Sequence, residues 1–160
     1  MSLAILPGSY DPMTLGHLDM VLRALEEFDE VVVAVMVNAS KKTLFDMETR
    51  VRIAEKTVEG MERVRVISDT GMLIDLFDRL QADAVCKGYR NDVDYAYEQD
   101  MAKWNREHNP RFRTVLYPAK DDHQTLSSTV VRNALREGSL PEGWVHPNAR
   151  DLICKSGGAV

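Results

Sequence analysis

The fold is decided by residues 3–17, which read Leu-Ala-Ile-Leu-Pro-Gly-Ser-Tyr-Asp-Pro-Met-Thr-Leu-Gly-His. Four apolar residues, 3–6, predict a buried strand that ends at the Pro-Gly pair. Residues 17–28 carry apolar side chains at helical spacing and predict a helix directly after a glycine- and hydroxyl-rich loop. The N–H groups at a helix start favour an anion, and His17 can donate a hydrogen bond there. A turn capped by Thr14 explains the local chemistry equally well.

The rest of the chain repeats this alternation of strand and helix. Further strands are predicted at 31–37, 64–67, 84–86 and 112–117, and further helices at 47–58, 71–80, 94–108 and 127–136, with a short one after Pro147. This order indicates βαβ units and predicts an α/β fold: one domain, residues 1–160, with a Rossmann-like, doubly wound, five-stranded parallel sheet and helices on both faces. Residues 155–160 are expected to form a frayed tail.

The composition excludes several classes of protein. The 160 residues carry a net charge of −5, which disfavours a nucleic-acid binder. Residues 1–40 hold six acidic and one basic side chain, and the remaining residues hold 19 of each, so bases for an anion must come mostly from later segments. Two widely spaced cysteines and four scattered histidines argue against a zinc site and favour a reducing, cytoplasmic compartment. No apolar run is long enough to predict a membrane span.

Four loops follow the carboxyl ends of predicted strands, where ligands bind in such sheets. Besides the first loop, they are residues 38–42 (Asn-Ala-Ser-Lys-Lys), 87–91 (Lys-Gly-Tyr-Arg-Asn) and 118–126, which leads into Ser-Ser-Thr-Val-Val-Arg at 127–132. Each has an ordinary interpretation as a surface turn or helix cap. Their joint placement on one edge of the sheet predicts a phosphate-binding site, although neither a GxGxxG fingerprint nor a Walker loop is present.

These motifs resemble those of the bacterial phosphopantetheine adenylyltransferases, a family of the nucleotidyltransferase superfamily. Residues 7–12 are close to the family's PG[ST]FDP, residues 14–17 resemble its TxGH loop, and residues 127–132 resemble its second signature. Further matches follow in the family's order at 16–19, 28–31, 38–42, 94–98 and 101–106. The resemblance runs from Leu3 to about Gly138, nearly the whole chain.

The resemblance implies transfer of AMP from ATP to 4′-phosphopantetheine, giving dephospho-coenzyme A and pyrophosphate in coenzyme A biosynthesis. The transfer is expected to be direct and in line, without a covalent intermediate. Because the acceptor is already an anionic phosphate, no general base is required, and catalysis reduces to positioning and charge neutralisation. The resemblance also implies Mg²⁺ accompanying ATP and a homo-hexamer, with small molecules rather than nucleic acid or membrane as partners.

The family's pattern also implies roles for single residues. His17 would stabilise charge that develops on the α-phosphate, and Ser9 and Lys41 would act with it where the two substrates meet. The implied contacts to ATP are Ser9, Tyr10, His17, Gly88, Tyr89, Arg90, Glu98, His123, Gln124, Thr125, Leu126, Ser127, Ser128 and Thr129. The implied contacts to phosphopantetheine are Ser9, Lys41, Leu73 and Lys87. No protein ligand to a metal is implied.

The sequence departs from the family at four of the matched positions. Lys87 replaces a usual arginine, Tyr89 a usual leucine, Ala96 a usual glutamate and His123 a usual aromatic residue. A lysine keeps the charge of an arginine but loses its bidentate fork. These departures bear on ligand geometry and on the choice of acceptor more than on the class of reaction.

Two alternatives remain open at this point. One is a sister cytidylyl- or adenylyltransferase with another acceptor, such as glycerol 3-phosphate or nicotinamide mononucleotide; the loop at 38–42 and residues 94–98 argue against it. The other is a nucleotide-binding module without catalysis, which the presence of His17, Lys41 and Arg90 argues against. Trp104 and Trp144 are expected to serve in the core or in subunit contacts.

Overall fold

A computed structural model of the protein describes residues 1–37 and 42–157. The strands are β1 (Leu3–Gly8), β2 (Glu30–Met36), β3 (Val64–Asp69), β4 (Ala84–Tyr89) and β5 (Thr114–Pro118). The helices are α1 (Leu15–Glu27), α2 (Met47–Thr57), α3 (Leu73–Arg79), α4 (Asp92–His108), α5 (Ser128–Arg136) and α6 (Pro147–Gly157), with a 3₁₀ turn at Asp121–His123. The Lys41 position predicted from the sequence lies outside the described residues.

The five strands form one parallel sheet in the order β3-β2-β1-β4-β5. The chain runs outward from β1 through β2 to β3, crosses back to β4 on the other side of β1, and ends at β5. The order of the strands therefore reverses between β1 and β4, and the carboxyl ends of these two strands form the crevice where ligands bind in such folds. The predicted α/β fold with a doubly wound parallel sheet is confirmed.

Alternating strand residues supply two separate cores. Ala4, Leu6, Val31, Val33, Val35, Ala84 and Cys86 belong to the larger core, with buried residues of α1, α2, α5 and α6. Leu3, Ile5, Val32, Ala34 and Val85 belong to the smaller core, with Leu76 and Phe77 of α3 and with Phe112. Because β1 and β2 are buried on both faces, they consist of near-continuous apolar runs rather than alternating ones.

Strand β4 is longer than the sequence predicted. The prediction ended it at Cys86 and placed Lys87 in a loop, but the ladder with β5 continues to Tyr89, which pairs with Pro118. Glycine suits position 88 because the Cβ of any other residue would lie only 3.0 Å from the Met20 sulfur of α1. The loop assignment was therefore wrong for residues 87–89, and the side chains of Lys87 and Tyr89 project from a strand.

The C-terminal segment also differs from the prediction. Residues 155–157 were expected to be frayed, but α6 continues through them. Gly157 is buried, and a Cβ there would lie 2.7 Å from the Phe45 ring, so the helix end packs closely against the segment that leads into α2. None of the helices described within residues 1–37 and 42–157 is long and apolar enough to cross a membrane.

Candidate active site

Two cavities open side by side at the carboxyl edge of the sheet. The first, here called the β4-side cavity, has a volume of about 440 Å³ and lies between the end of β4, the start of α1 and the segment that leads into α5. The second, the β2-side cavity, has a volume of about 480 Å³ and is lined by residues 7–11, Lys42, Thr43 and the first turn of α5 with Arg132. His17 and Ser128 line both cavities, so the two spaces meet at these side chains.

His17 is held in one orientation by the start of its own helix. Its Nδ1 accepts a hydrogen bond of 2.9 Å from the Thr14 backbone N–H, and the Thr14 hydroxyl lies 3.4 Å from the His17 N–H in a reciprocal cap. Because Nδ1 acts as the acceptor, the proton of the neutral ring is on Nε2. Burial, together with the nearby Arg90 guanidinium, lowers the pKa of His17 to about 4. At neutral pH the ring is therefore an uncharged donor.

The Tyr10 ring packs against the His17 imidazole. Its ring meets His17 edge to face, with 4.9 Å between the ring centroids, and its hydroxyl donates a hydrogen bond of 2.8 Å to the Leu6 carbonyl oxygen. Burial raises the pKa of Tyr10 well above its usual range, so the hydroxyl stays protonated. Tyr10 also adopts a positive φ of 48°, which turns the chain sharply after β1. The Tyr10 hydroxyl is therefore already used in a hydrogen bond within the protein.

Two basic side chains, Arg90 in the β4-side cavity and Lys87 in a smaller space next to it, are paired with carboxylates. Arg90 donates from Nε to Asp94 at 3.2 Å, and Lys87 Nζ lies 2.9 Å from a Glu98 carboxylate oxygen. Thus Lys87 and Glu98, which the resemblance assigned to different substrates, contact each other. An incoming anion must compete with a carboxylate for each of these two cations.

His123 belongs to a third pair at this cavity. Its Nδ1 is bonded to the carboxylate of Asp19 on α1, which also lies 3.8 Å from Lys120 Nζ. This pair ties the 3₁₀ turn to α1, and Gly16 lies close beneath, with the His123 Cβ 3.8 Å from where a Cβ of residue 16 would be. His123 therefore lines the cavity from a fixed position.

Asp11 fastens together the segments around the β2-side cavity. The side chain is buried, at 4% exposure, and its two oxygens accept hydrogen bonds of 2.9 Å from the N–H groups of Leu44 and Phe45. Arg132 of α5 donates to the Asp11 backbone carbonyl at 2.8 Å and lies 3.6 Å from its carboxylate. Asp11 thereby fixes α5 relative to the segment that leads into α2, and Lys42 stands on that segment.

Arg50 of α2 is buried beside the same cavity, at 4% exposure. Its Nη1 donates to the Ser9 carbonyl oxygen at 2.8 Å and to the Met36 carbonyl oxygen at 3.4 Å. These two carbonyls stand at the carboxyl ends of β1 and β2. Within residues 1–37 and 42–157 its Nε has no hydrogen-bond partner, and no carboxylate lies within ion-pair distance.

The hydroxyls at the start of α5 are used within the protein. Ser127 caps the helix by accepting from the Val130 N–H at 3.2 Å, Ser128 donates to the Pro12 carbonyl at 2.8 Å, and Thr129 accepts from Arg132 at 3.0 Å. The capping interpretation of Ser127 is confirmed. Because Ser127 and Ser128 also line the β4-side cavity, the helix start faces that space.

A separate apolar groove lies between α3 and α4. It has a volume of about 490 Å³ and is lined by Met72, Leu73, Ile74, Asp100, Met101, Trp104 and Asn105. Leu73, predicted to contact the acceptor, is therefore in a groove that suits an uncharged chain. Trp104 lines the groove with 41% of its surface exposed, so the structure places it outside the two cores.

The structure gathers most of the residues that the sequence singled out. His17, Gly88, Tyr89, Arg90, Glu98, His123, Leu126, Ser127 and Ser128 line the β4-side cavity, and Ser9, Tyr10 and Thr129 line the β2-side cavity. Lys87 lines a smaller space of about 180 Å³ beneath His17. Gln124 and Thr125 are exposed and line neither of the two cavities. Sequence reasoning missed Asp11, Arg50 and Asp94 as site residues.

The chain matches a known family and curated proteins over most of its length. The Cytidylyltransferase-like family matches residues 5–134. The chain is 38% identical over 155 residues to a phosphopantetheine adenylyltransferase of Limosilactobacillus reuteri, covering 97% of this chain and 90% of that protein. It is 40% identical to a protein of the same name from Clostridium novyi, covering 98% of each.

A solved structure shares the fold at lower sequence identity. It is titled a putative nicotinate-nucleotide adenylyltransferase from Vibrio parahaemolyticus, with a TM-score of 0.76 and 21% identity, and the match covers 100% of this chain and 98% of that one. At this identity the likeness supports the arrangement of strands and helices alone.

Proposed function

The chain belongs to the phosphopantetheine adenylyltransferase family, and we propose that it transfers AMP from ATP to 4′-phosphopantetheine, giving dephospho-coenzyme A and pyrophosphate. The relatives of that name match 36–41% of the aligned residues, and the matches of this chain to the Limosilactobacillus reuteri and Clostridium novyi proteins span almost its whole length. The reaction belongs to coenzyme A biosynthesis.

The observation that carries the proposal is the junction of the two cavities at His17. In a transfer between two bound phosphates, a donor placed where the two substrates meet can bind a non-bridging oxygen of the transferred group. His17 lines both cavities and, with Nδ1 occupied by Thr14, has its Nε2–H available for a phosphate oxygen. A neutral donor of this kind stabilises charge that develops in the transition state without giving up its proton.

We place ATP in the β4-side cavity and the phosphate of the acceptor near the junction. The start of α5 and Gly16 at the start of α1 line the cavity that would hold the triphosphate, and Arg90 lines the same cavity. Lys87, beneath His17, suits the acceptor phosphate once Glu98 releases it. The pantetheine arm suits the apolar groove at Leu73. Lys41 remains a proposed contact from the sequence.

The proposed chemical step needs no base from the protein. An oxygen of the acceptor phosphate attacks the α-phosphorus of ATP, the bond to the bridging oxygen of the β-phosphate breaks, and that oxygen leaves with pyrophosphate. The nucleophile is already an anion, so the protein contributes alignment and neutralisation. His17 fits this requirement because its lowered pKa keeps the ring neutral, with its Nε2 proton in place, at neutral pH.

We propose that ATP enters as its Mg²⁺ complex. Within the described residues there is no cluster of three histidine, cysteine or carboxylate side chains that could hold a metal ion. Magnesium typically takes phosphate oxygens and water as most of its ligands, so it can arrive with the nucleotide and reduce the charge on the phosphates.

We further propose that the protein works as a homo-hexamer in the cytoplasm. Val93 and Tyr97, one turn apart on α4, are 79% and 62% exposed in the single chain, as expected for a surface that another copy covers. The two cysteines are unpaired, which fits a reducing compartment. Light scattering coupled to size exclusion tests the hexamer: a mass near six chains supports it, and a monomer contradicts it.

The test of the reaction is direct. The purified protein is incubated with ATP, Mg²⁺ and 4′-phosphopantetheine, and pyrophosphate and dephospho-coenzyme A are measured. Parallel reactions replace ATP by CTP, or the acceptor by nicotinamide mononucleotide or glycerol 3-phosphate. Equal amounts of the two products with the first pair alone support the proposal. Product with another pair instead shows a sister enzyme, and no turnover with any pair shows a binding module.

A further inference from the structure

Arg50 stands out because it is a basic side chain buried at the edge of the active site. Among the residues described (1–37 and 42–157), it is the one basic residue in the buried class, at 4% exposure. Burying a guanidinium is unfavourable unless opposite charge or hydrogen-bond acceptors compensate it. The described part of the chain offers it two backbone carbonyls, of Ser9 and Met36, and no carboxylate within 4.0 Å.

The contact with Ser9 has a geometric consequence. The Ser9–Tyr10 peptide is trans, so its N–H points away from its carbonyl oxygen. With the carbonyl bonded to Arg50 at 2.8 Å, the Tyr10 N–H is directed away from α2. In the described residues no protein acceptor takes that N–H, and Ser9 and Tyr10 both line the β2-side cavity. A phosphate oxygen in the cavity can therefore accept from it.

The second consequence is electrostatic. Charges in a poorly hydrated site act on each other more strongly than charges at the surface. Among the described residues, no carboxylate forms a close ion pair with the Arg50 guanidinium, although Asp46 lies near enough to feel its charge. Arg50 contacts the cavity wall through the Ser9 carbonyl oxygen. It therefore adds positive potential beneath the place where two phosphates meet.

We propose that Arg50 is a positioning residue for the transfer step, which holds the Ser9–Tyr10 peptide in its phosphate-binding orientation and adds buried positive charge under it. The proposal rests on the proposed function, because it assigns Arg50 a part in that reaction. It predicts that a positive charge at position 50 is not enough by itself, since the ammonium of a lysine stands one bond short of the Nη1 position that contacts both carbonyls.

The test compares Arg50→Met and Arg50→Lys with the matched control Arg52→Met, which removes an exposed charge from the same helix. For Arg50→Met, kcat is expected to fall about 100-fold, as for a misplacement of the reacting groups by about 1 Å. The KM for ATP is expected to change less than about threefold, because the adenosine side is untouched. Arg50→Lys is expected to lose about tenfold in kcat, and Arg52→Met less than twofold.

Stability is measured on the same samples, because a purely structural role predicts a different pattern. Arg50→Met leaves the Ser9 and Met36 carbonyl oxygens without this donor, so some loss of stability is expected. A folded Arg50→Met with a large loss of kcat supports the proposal. A folded Arg50→Met with kcat within threefold of wild type overturns it. If Arg50→Met does not fold, Arg50→Lys decides: kcat within twofold of wild type overturns the proposal.

A calorimetric titration with inorganic phosphate, the smallest mimic of the acceptor phosphate beside Ser9 and Tyr10, separates this proposal from the proposed function, because it requires no turnover. Arg50→Met is expected to bind inorganic phosphate at least about fivefold more weakly than wild type and Arg52→Met. If wild type binds inorganic phosphate but turns over no substrate pair, the proposed function fails while the titration still tests Arg50. Equal affinities in all three proteins overturn the electrostatic part of the proposal.

Discussion

The two cavities that meet at His17 hold their cations in different ways. On the β4 side, Arg90 and Lys87 are each paired with a carboxylate, Asp94 and Glu98. On the β2 side, Arg50 and Arg132 are held by backbone carbonyls of the loop after β1, and only Arg132 also lies near a carboxylate. A carboxylate neutralises a cation, whereas a carbonyl orients it and leaves its charge.

This difference indicates different roles for the two sides. A ligand in the β4-side cavity competes with Asp94 for Arg90, and a phosphate at Lys87 competes with Glu98, so binding can change the pairing of these side chains. The β2-side cations are already in position and cannot move far, because they also fix the backbone. The first side is suited to selecting a ligand, and the second to aligning it.

The largest expected effect concerns the junction itself. His17→Asn keeps an oxygen that can accept from the Thr14 N–H but removes the Nε2–H, so the cap is retained while the donor to phosphate is lost. We expect kcat to fall about 10²–10³-fold, as for loss of an oxyanion-type donor, with ATP still bound. Steady-state kinetics and calorimetry with ATP measure this, and His17→Ala should lose a similar factor. Turnover near that of wild type would refute the role of His17.

A smaller effect is expected at Lys87, which is paired with Glu98 on the β4 side of the site. Lys87→Met removes a charge-assisted hydrogen bond and leaves Glu98 without its partner, so the KM for phosphopantetheine should rise about tenfold. Lys87→Arg should stay within about threefold of wild type, because it keeps the charge. Initial rates at varied acceptor concentration measure both, with Lys103→Met, exposed on α4, as the control. An unchanged KM in Lys87→Met would show that Lys87 stays with Glu98 when the acceptor binds.

The pH dependence of stability gives a third test at the junction. The folded protein lowers the pKa of His17 from 6.5 to about 4, so it favours the neutral ring. The stabilisation from this ring is fully present above pH 6.5 and is lost as the pH falls toward 4. Between pH 8 and 5.5 the loss is on the order of 1 kcal/mol. Urea unfolding at both pH values should show a smaller loss for His17→Asn than for wild type; equal losses would contradict the assigned protonation state.

The smallest expected effect concerns Gln124. The family's pattern implies a contact with ATP, but the side chain is exposed and bonds to Asp121 at 3.4 Å, outside both cavities. Gln124→Ala is therefore expected to change the KM for ATP by less than about twofold. The matched variant Leu126→Ala, which alters the cavity wall, should change it more. A KM raised more than fivefold in Gln124→Ala would show that the segment closes over the nucleotide.

The sequence predicted the sheet because its signals are local. Unbroken apolar runs identify β1 and β2, and the helices between them follow from the spacing of apolar residues. The end of β4 could not be predicted in this way, since Lys87 and Gly88 belong to the strand through their ladder with Leu116 and Tyr117, about 30 residues away. The end of α6 was missed for a similar reason: Gly157 is fixed by its contact with Phe45.

In the site too, features that depend on neighbouring residues were predicted, and features that depend on distant contacts were missed. The loop after β1 was predicted to bind an anion from its own residues, and His17 does stand at the junction. Arg50 was missed, although a signal was present: it shares the buried face of α2 with Ile53, Ala54 and Thr57 at helical spacing. An arginine on such a stripe indicates a buried charge, but its partners, the carbonyls of Ser9 and Met36, are identified only by the packing of α2 on β1 and β2.

The sharing of His17 and Ser128 by both cavities has a consequence for inhibitor design. Because the two spaces are continuous, a single compound can carry one arm for each, and no long spacer is needed between them. Binding of the first arm then raises the effective concentration of the second, and the affinities multiply as long as the linker spans the junction without strain. Such a compound gains most when its linker accepts the hydrogen bond from His17, since that contact serves both arms at once.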